Sequence, residues 1–369
     1  MLTVRVVRGA LFAFLALPLS ARSLPVEATV VPTAALSAER MAHTATALGT
    51  GEVLVAGGFT NVQQAGRSAE LYNPASRRFT ALPPMVVPRH SHTATRLADG
   101  SVLIAGGYAA NGDPVAEVER FDPVRRRFEP AGRMTDARAG HIAQLLRDGR
   151  VLIAGGVGPG WTFLSSAELF DPQRGRAERI APMRVPRESH VAVTLNDGRV
   201  LIVGGHNGRR SAMRLYTSAE IYDPTRERFV PTGDMRVRRH KHDAVRVADG
   251  RVLITGGSDE RDDQGAYRST EWFDPRTGVF TPGPMLERAR YKHERSSMLL
   301  PNGDILIAGG AAQPELLDIR ANRFRAISAS AELAGQFSAS ALLPNGRVLI
   351  TGGYGNGRGP RAQAWEYVP

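Results

Sequence analysis

Seven times along this chain a short apolar run ends in a pair of glycines: VLVAGG from Val53, VLIAGG from Val102 and Val151, VLIVGG from Val200, VLITGG from Val252, ILIAGG from Ile305 and VLITGG from Val348. Short apolar runs with β-branched content, bounded by turn signals, predict buried strands. The first glycines are Gly57, Gly106, Gly155, Gly204, Gly256, Gly309 and Gly352, at intervals of 49, 49, 49, 52, 53 and 43 residues. Such a period is the signature of a repeat architecture.

The polar positions around each run predict the other strands of the unit. Asp99-Gly100, Asp148-Gly149, Asp197-Gly198, Asp249-Gly250, Asn302-Gly303 and Asn345-Gly346, with Thr50-Gly51 in the first copy, precede the apolar runs. These pairs tolerate the positive φ of a tight hairpin, so a strand such as HTATAL from His43 pairs antiparallel with the run that follows. A third strand comes after the glycines: AELYNP from Ala69, VERFDP from Val118, AELFDP from Ala167, AEIYDP from Ala219 and TEWFDP from Thr270. Its terminal Asn-Pro or Asp-Pro predicts a turn, because proline fixes φ and cannot donate to a ladder. A fourth strand is expected around Phe79, Phe128, Phe229, Phe280 and Phe324, with Ile180 at that position in the third copy.

The double glycine, the aromatic two residues after a glutamate in the third strand, and the Asp-Pro turn resemble kelch repeats of the bacterial, exported type, from residue 27 to the end. The resemblance implies an all-β, seven-bladed kelch-type β-propeller with four antiparallel strands per blade. The chain stops after a seventh third strand, Ala364 to Val368, so the last blade lacks its fourth. Aligning Val30 to Arg40 with Phe79 to Arg89 makes residues 27–36 that strand, closing the ring at its seam and leaving no sheet edge. Residues 24–369 are then one domain; six blades and a stray hairpin is the alternative.

Residues 1–23 read as a secretory signal, with Arg5 and Arg8 before the apolar stretch Ala10 to Leu19 and cleavage after Ala21 or Ser23. Export to the periplasm, the cell surface or the medium is expected. There is no cysteine, so thiol chemistry, cysteine metal sites and disulfide staples are excluded. Of the 47 basic residues only Lys241 and Lys292 are lysine, and without Arg5, Arg8 and Arg22 the chain keeps 44 basic against 36 acidic residues. That balance favours anionic partners.

Six copies open their first strand through Arg-x-x-His: Arg40 and His43, Arg89 and His92, Arg138 and His141, Arg187 and His190, Arg239 and His242, Arg290 and His293. Eight of the nine histidines lie in or beside this motif; His206 does not. In the kelch arrangement the motif falls at one mouth of the channel. An electropositive rim gripping an anion through arginine forks is one reading. The other is a contact inside each blade, to the third-strand glutamates Glu70, Glu119, Glu168, Glu220, Glu271, Glu315 and Glu366. The seventh copy has Gly335-Gln336-Phe337 instead. Trp161 and Phe163 in the third variable loop, and Tyr216 in the fourth, offer rings for sugar stacking or protein contact. His90 with His92, or His240 with His242, is a weak metal pair with no third ligand in sight, and the Asp259 to Asp263 loop lacks EF-hand spacing.

The kelch resemblance covers both enzymes and binding modules. Galactose oxidase-like copper chemistry implies a tyrosine cross-linked to cysteine, and this chain has no cysteine; no cofactor is expected. Neither a Gly-x-Ser-x-Gly elbow, a His-Glu-x-x-His helix nor a phosphate loop is present. The expectation is a monomeric exported propeller that binds an anionic glycan or a protein through one loop face, with no nucleic-acid partner and no membrane segment after the signal. The alternative is a carbohydrate-active enzyme of the kelch mutarotase-like type.

Overall fold

A computed structural model describes residues 28–60, 64–329, 333, 335–355 and 359–369. The expected signal, residues 1–23, lies outside the described residues. Blade 1 sets the pattern, with strands Thr44–Ala47, Val53–Ala56, Ala69–Asn73 and Arg78–Ala81 hydrogen-bonded in that order. Every neighbouring pair is antiparallel: Ala45 faces Val55, Val55 faces Glu70 and Glu70 faces Ala81. The second strand is buried along its whole length. It lies inside the sheet with a neighbouring blade on each face, which is why the apolar runs are continuous rather than alternating.

The pattern recurs in blades whose innermost strands are Thr93–Arg96, Ile142–Leu145, Val191–Thr194, Asp243–Arg246, Ser297–Leu299 and Ala339–Leu342. Buried apolar residues among those described fall into seven clusters, one at each junction between consecutive blades. Between blades 1 and 2, for example, Leu54, Ala56 and Leu71 pack on Val102, Ile104 and Phe121. The core is therefore a ring of wedges, each formed by two repeats.

The ring closes through the N-terminal strand. Thr29–Pro32 pairs antiparallel with Ala364–Val368 as the fourth strand of blade 7, with Val30 opposite Tyr367, and the short strand Ser328–Ala329 lies parallel along its outer edge. Val30 is fully buried in the cluster shared with blade 6.

One turn differs from expectation. Ahead of each apolar run the loop has three residues, not two: Leu97 N–H donates to Ser101 O (2.8 Å) and Gly100 N–H to Leu97 O (3.1 Å). Gly100 takes φ +86°, the left-handed residue that ends a type I turn in a three-residue hairpin. Asp99 Oδ1 stabilises the loop by accepting from Ser101 N (2.9 Å).

Candidate functional site

The arginines of the repeated motif do not form a rim. Arg89, Arg138, Arg187, Arg239 and Arg290 are fully buried, and Arg40 nearly so. Each pairs with the third-strand glutamate of its own blade: Arg40 with Glu70 (2.9 Å), Arg89 with Glu119 (2.7 Å), Arg138 with Glu168 (2.9 Å), Arg187 with Glu220 (2.9 Å), Arg239 with Glu271 (2.9 Å) and Arg290 with Glu315 (2.7 Å). The other Nη donors are also committed, while the Nε of Arg40, Arg138, Arg187 and Arg239 is buried without a partner. Arg89 Nη1 donates to Gly106 O (2.7 Å) and Glu117 O (3.0 Å), while Glu119 accepts from the Val86 and Val87 N–H groups of the preceding linker. The guanidinium thus ties the double glycine to the third strand, and the glutamate ties that strand to the incoming chain.

Blade 7 lacks both partners. Gly335 stands at the arginine position and Trp365, opposite Ile350, at the glutamate position. Glu366 is one residue out of step with the other six glutamates, so grouping it with them was a register error. It lies on the other face of its strand, paired with Arg77 and Arg347 (both 3.1 Å).

The histidines serve the junctions. His92 Nε2 bonds Thr44 Oγ1 (3.1 Å) and His141 Nε2 bonds Thr93 Oγ1 (3.1 Å), each reaching the preceding blade; His43 meets Thr351 (2.8 Å) and His293 meets Thr255 (3.0 Å). A Cβ on Gly57, at φ +64°, would lie 2.6 Å from Arg89 O and 2.8 Å from His92 Cε1. The first glycine of six of the seven pairs is where the next blade's histidine seats; Gly309 faces Ser296 and Ser338 instead. Burial, with the adjacent arginine, keeps these rings neutral: His43, His92, His141 and His242 are held well below the ordinary histidine value, and His190 and His293 at about 3. Neutral histidines and spent arginines cannot supply an electropositive mouth.

What does line the mouth is the residue just before each histidine. Ala42, Ser91, Gly140, Ser189, Lys241, Lys292 and Phe337 all have φ of +50 to +61°. Six backbone bonds link them around the channel: Ala42 N–H donates to Phe337 O, Ser91 to Ala42, Gly140 to Ser91, Lys241 to Ser189, Lys292 to Lys241 and Phe337 to Lys292, at 2.8 to 3.1 Å, with the step from Gly140 to Ser189 left open among the described residues. Blades 1 to 4 bring small side chains to this ring and blades 5 to 7 large ones. The mouth is therefore open on one side.

Within the channel a cavity of about 290 Å³ is walled by Gln144, Glu188, Lys241, Asp243, Glu294 and Arg295, with edges of His43, His92, His141 and His190. Glu294 and Arg295 arise from a departure in the repeat. The motif histidine lies five positions before the buried apolar residue that opens the hairpin turn in His43 to Leu48, His92 to Leu97, His141 to Leu146, His190 to Leu195 and His242 to Val247. From His293 to Leu300 the distance is seven. The two extra residues bulge from blade 6 into the channel, with Arg295 at φ +62° and Asp243 accepting from Ser296 N (2.9 Å) and Ser297 N (2.7 Å) at the base of the bulge. Sequence reasoning missed this pair, although the seven-residue spacing is its signal.

The Arg295 guanidinium makes no hydrogen bond or ion pair with the described protein, though its field reaches His92 and His141 across the channel. The Arg295 side chain stays open to solvent in the channel; crowding by the channel walls lowers its affinity for its proton and the nearby Asp243 and Glu294 oppose that. Burial, then the like charges of Asp243 and Glu188, push Glu294 up to about 7. Glu188 stays low: burial would raise it, but the His206 hydrogen bond and charge prevail, with Ser189 and Lys241 adding to them. Its Oε2 lies 2.6 Å from His206 Nε2. A Cβ on Gly140 would meet Glu188 Oε1 at 2.6 Å, so the glycine in the ring makes room for this carboxylate.

Trp161, half exposed, sits beside the mouth in the loop after the third double glycine, and Phe163 of that loop packs edge-on to His206 (5.4 Å). The acidic loop is neutralised by its own neighbours: Asp259 by Arg261, Glu260 by Arg238 and Asp262 by Lys241.

A family model described as Kelch motif matches residues 189–236. No curated protein matches the sequence. Among solved structures, a fungal alcohol oxidase of the AA5 family, in complex with copper, superposes with a TM-score of 0.73 at 16% identity, over 92% of this chain and 76% of that one. The structure of YjhT superposes with a TM-score of 0.62 at 13% identity, over 80% of this chain and 99% of that one. At these identities the likeness concerns the fold. Copper does not fit here: there is no cysteine, no three metal-ligating side chains converge among the described residues, and four of the six motif histidines are hydrogen-bonded across a junction.

Proposed function

We propose that this kelch-repeat β-propeller binds a small, carboxylate-bearing, polyhydroxylated ligand, an acidic sugar, in its channel mouth. The observation that carries the reading is the uncommitted Arg295 fork inside a walled cavity. An arginine with free donors in such a place pairs best with a planar carboxylate. Glu188, Asp243, Glu294 and Gln144 around it suit sugar hydroxyls, and the cavity is of the size that takes one ring. We read residues 1–23 as an export signal, on their basic start and apolar stretch, so the ligand is met outside the cytoplasm. An unprocessed Met1 on protein recovered from its host would rule that out.

A second reading, an enzyme that interconverts sugar anomers, is favoured by Glu294 alone. A carboxyl titrating near 7 is suited to give and take a proton at neutral pH. Glu294 would protonate the ring oxygen as a carboxylate such as Glu188 takes the anomeric hydroxyl proton and the C–O ring bond opens; closure on the other face reverses both transfers. Calorimetry with galacturonate, and NMR exchange between its anomers, test both readings. Arg295→Ala is expected to weaken binding about tenfold or more without unfolding the protein. Glu294→Gln is expected to keep binding, and to abolish any enhanced exchange. Undiminished affinity in Arg295→Ala would sink the binding reading, and exchange no faster than in buffer would sink the enzymatic one.

A further inference from the structure

Outside the cavity, on the open side of the mouth, rings from three successive blades touch in series. Phe59 meets His90 edge-on at 5.0 Å, His90 meets Tyr108 at 5.3 Å and Tyr108 meets Trp161 at 5.8 Å. The fold places them together: each loop after a double glycine bridges back to the motif, Met41 to Phe59, His90 to Tyr108 and Ala139 to Val157. Arg209, from blade 4, ends the series. Its guanidinium carbon lies 3.6 Å from the Trp161 ring centroid, and it forms no hydrogen bond or ion pair with the described protein. An arginine laid flat on indole keeps its N–H edge free and fixed in direction. Trp161 is held for this contact by a left-handed backbone, φ +61°, following Gly160 at φ +64°.

We infer that Phe59, His90, Tyr108, Trp161 and Arg209 form an outer subsite for the chain of an acidic oligosaccharide whose end sugar occupies the cavity. The inference rests on the channel reading above and extends it from one sugar to a chain. Partly exposed ring surfaces suit the apolar faces of pyranoses, and Arg209 takes a carboxylate on a sugar beyond the first. Arg295 within the cavity and Arg209 on the strip, neither of them in an ion pair, offer two separate places for the acid groups of one chain.

Calorimetry on the full chain with mono-, di- and trigalacturonate tests this, with the emission of Trp161 followed in parallel; Trp272 and Trp365 are buried and report little. Affinity is expected to rise with chain length and Trp161 emission to shift only with the longer ligands. Arg209→Ala and Trp161→Ala are expected to remove the gain, about tenfold or more, and to leave monogalacturonate binding intact. Arg209→Lys, which keeps charge but not the planar stack, should recover little of it. Affinity independent of length, or a length effect indifferent to both alanine variants, overturns the outer subsite even if the single sugar binds. Loss of single-sugar binding with a surviving, Arg209-dependent chain affinity supports the strip and overturns the cavity reading instead.

Discussion

The six buried arginine–glutamate pairs illustrate how a repeated charge can be mistaken for a binding feature. A guanidinium at 0% exposure with its donors spent on a carboxylate and carbonyls is structural, and its value shows when one partner is removed. Glu119→Gln is expected to destabilise the protein by about 3–5 kcal/mol, because Arg89 keeps its charge and loses the compensating one. The exposed pair Arg120 and Asp99 offers the contrast: Asp99→Asn should cost at most about 1 kcal/mol. Denaturant unfolding of the two variants checks both, and equal effects would show that the buried pair is no more than an ordinary surface bridge. Repetition was already an argument for this role. The simultaneous loss of both partners in blade 7 strengthens it, since a pair built for mutual support has no reason to survive by halves.

At the level of elements, strands and turns were legible because their signals are local. Continuous apolar runs, Asp-Gly turns and Asp-Pro stops fix the four strands of each blade within a window of about fifty residues. The closing strand was legible too, because Val30 aligns with Phe79 and blade 7 visibly lacks an edge. The channel bulge was not. Two extra residues between His293 and Leu300 are visible in the sequence, but their projection toward His92 and His141 depends on closure, which sets blade 6 across from blades 2 and 3. For the same reason Trp161 could be singled out from its loop whereas Arg209, its stacking partner, could not. Deleting Glu294 and Arg295 restores the spacing of the other copies. The expected result is a propeller of unchanged circular dichroism and at least equal thermal stability that no longer binds galacturonate; unfolding on deletion would make the bulge a packing element.

For the whole molecule, the neutral junction histidines tie stability to pH. Their folded-state values lie below the ordinary 6.5, down to about 3 for His190 and His293, so the unfolded chain binds protons first as acid is added. The stability they confer is present above about pH 6.5 and is lost progressively as pH falls toward about 3. Chemical denaturation at neutral pH and near pH 5 should show a marked drop, and His92→Gln should flatten it in part; a flat profile in the parent protein would mean that these rings are protonated in place. Because six of the seven junctions repeat the same seat, acid should weaken the ring at all of them at once, and spare the junction of blades 6 and 7, where Ser338 replaces the histidine. The backbone loop through Ala42, Ser91, Lys241, Lys292 and Phe337 carries a different implication, for ancestry. Six such bonds link the seven copies, and the step from Gly140 to Ser189 is the one without it among the described residues, so a duplicated or deleted repeat anywhere but at that step would strand a further donor and acceptor at the narrowest point. Copy number is then held largely at the axis, while the outer loops can change in sequence without disturbing it.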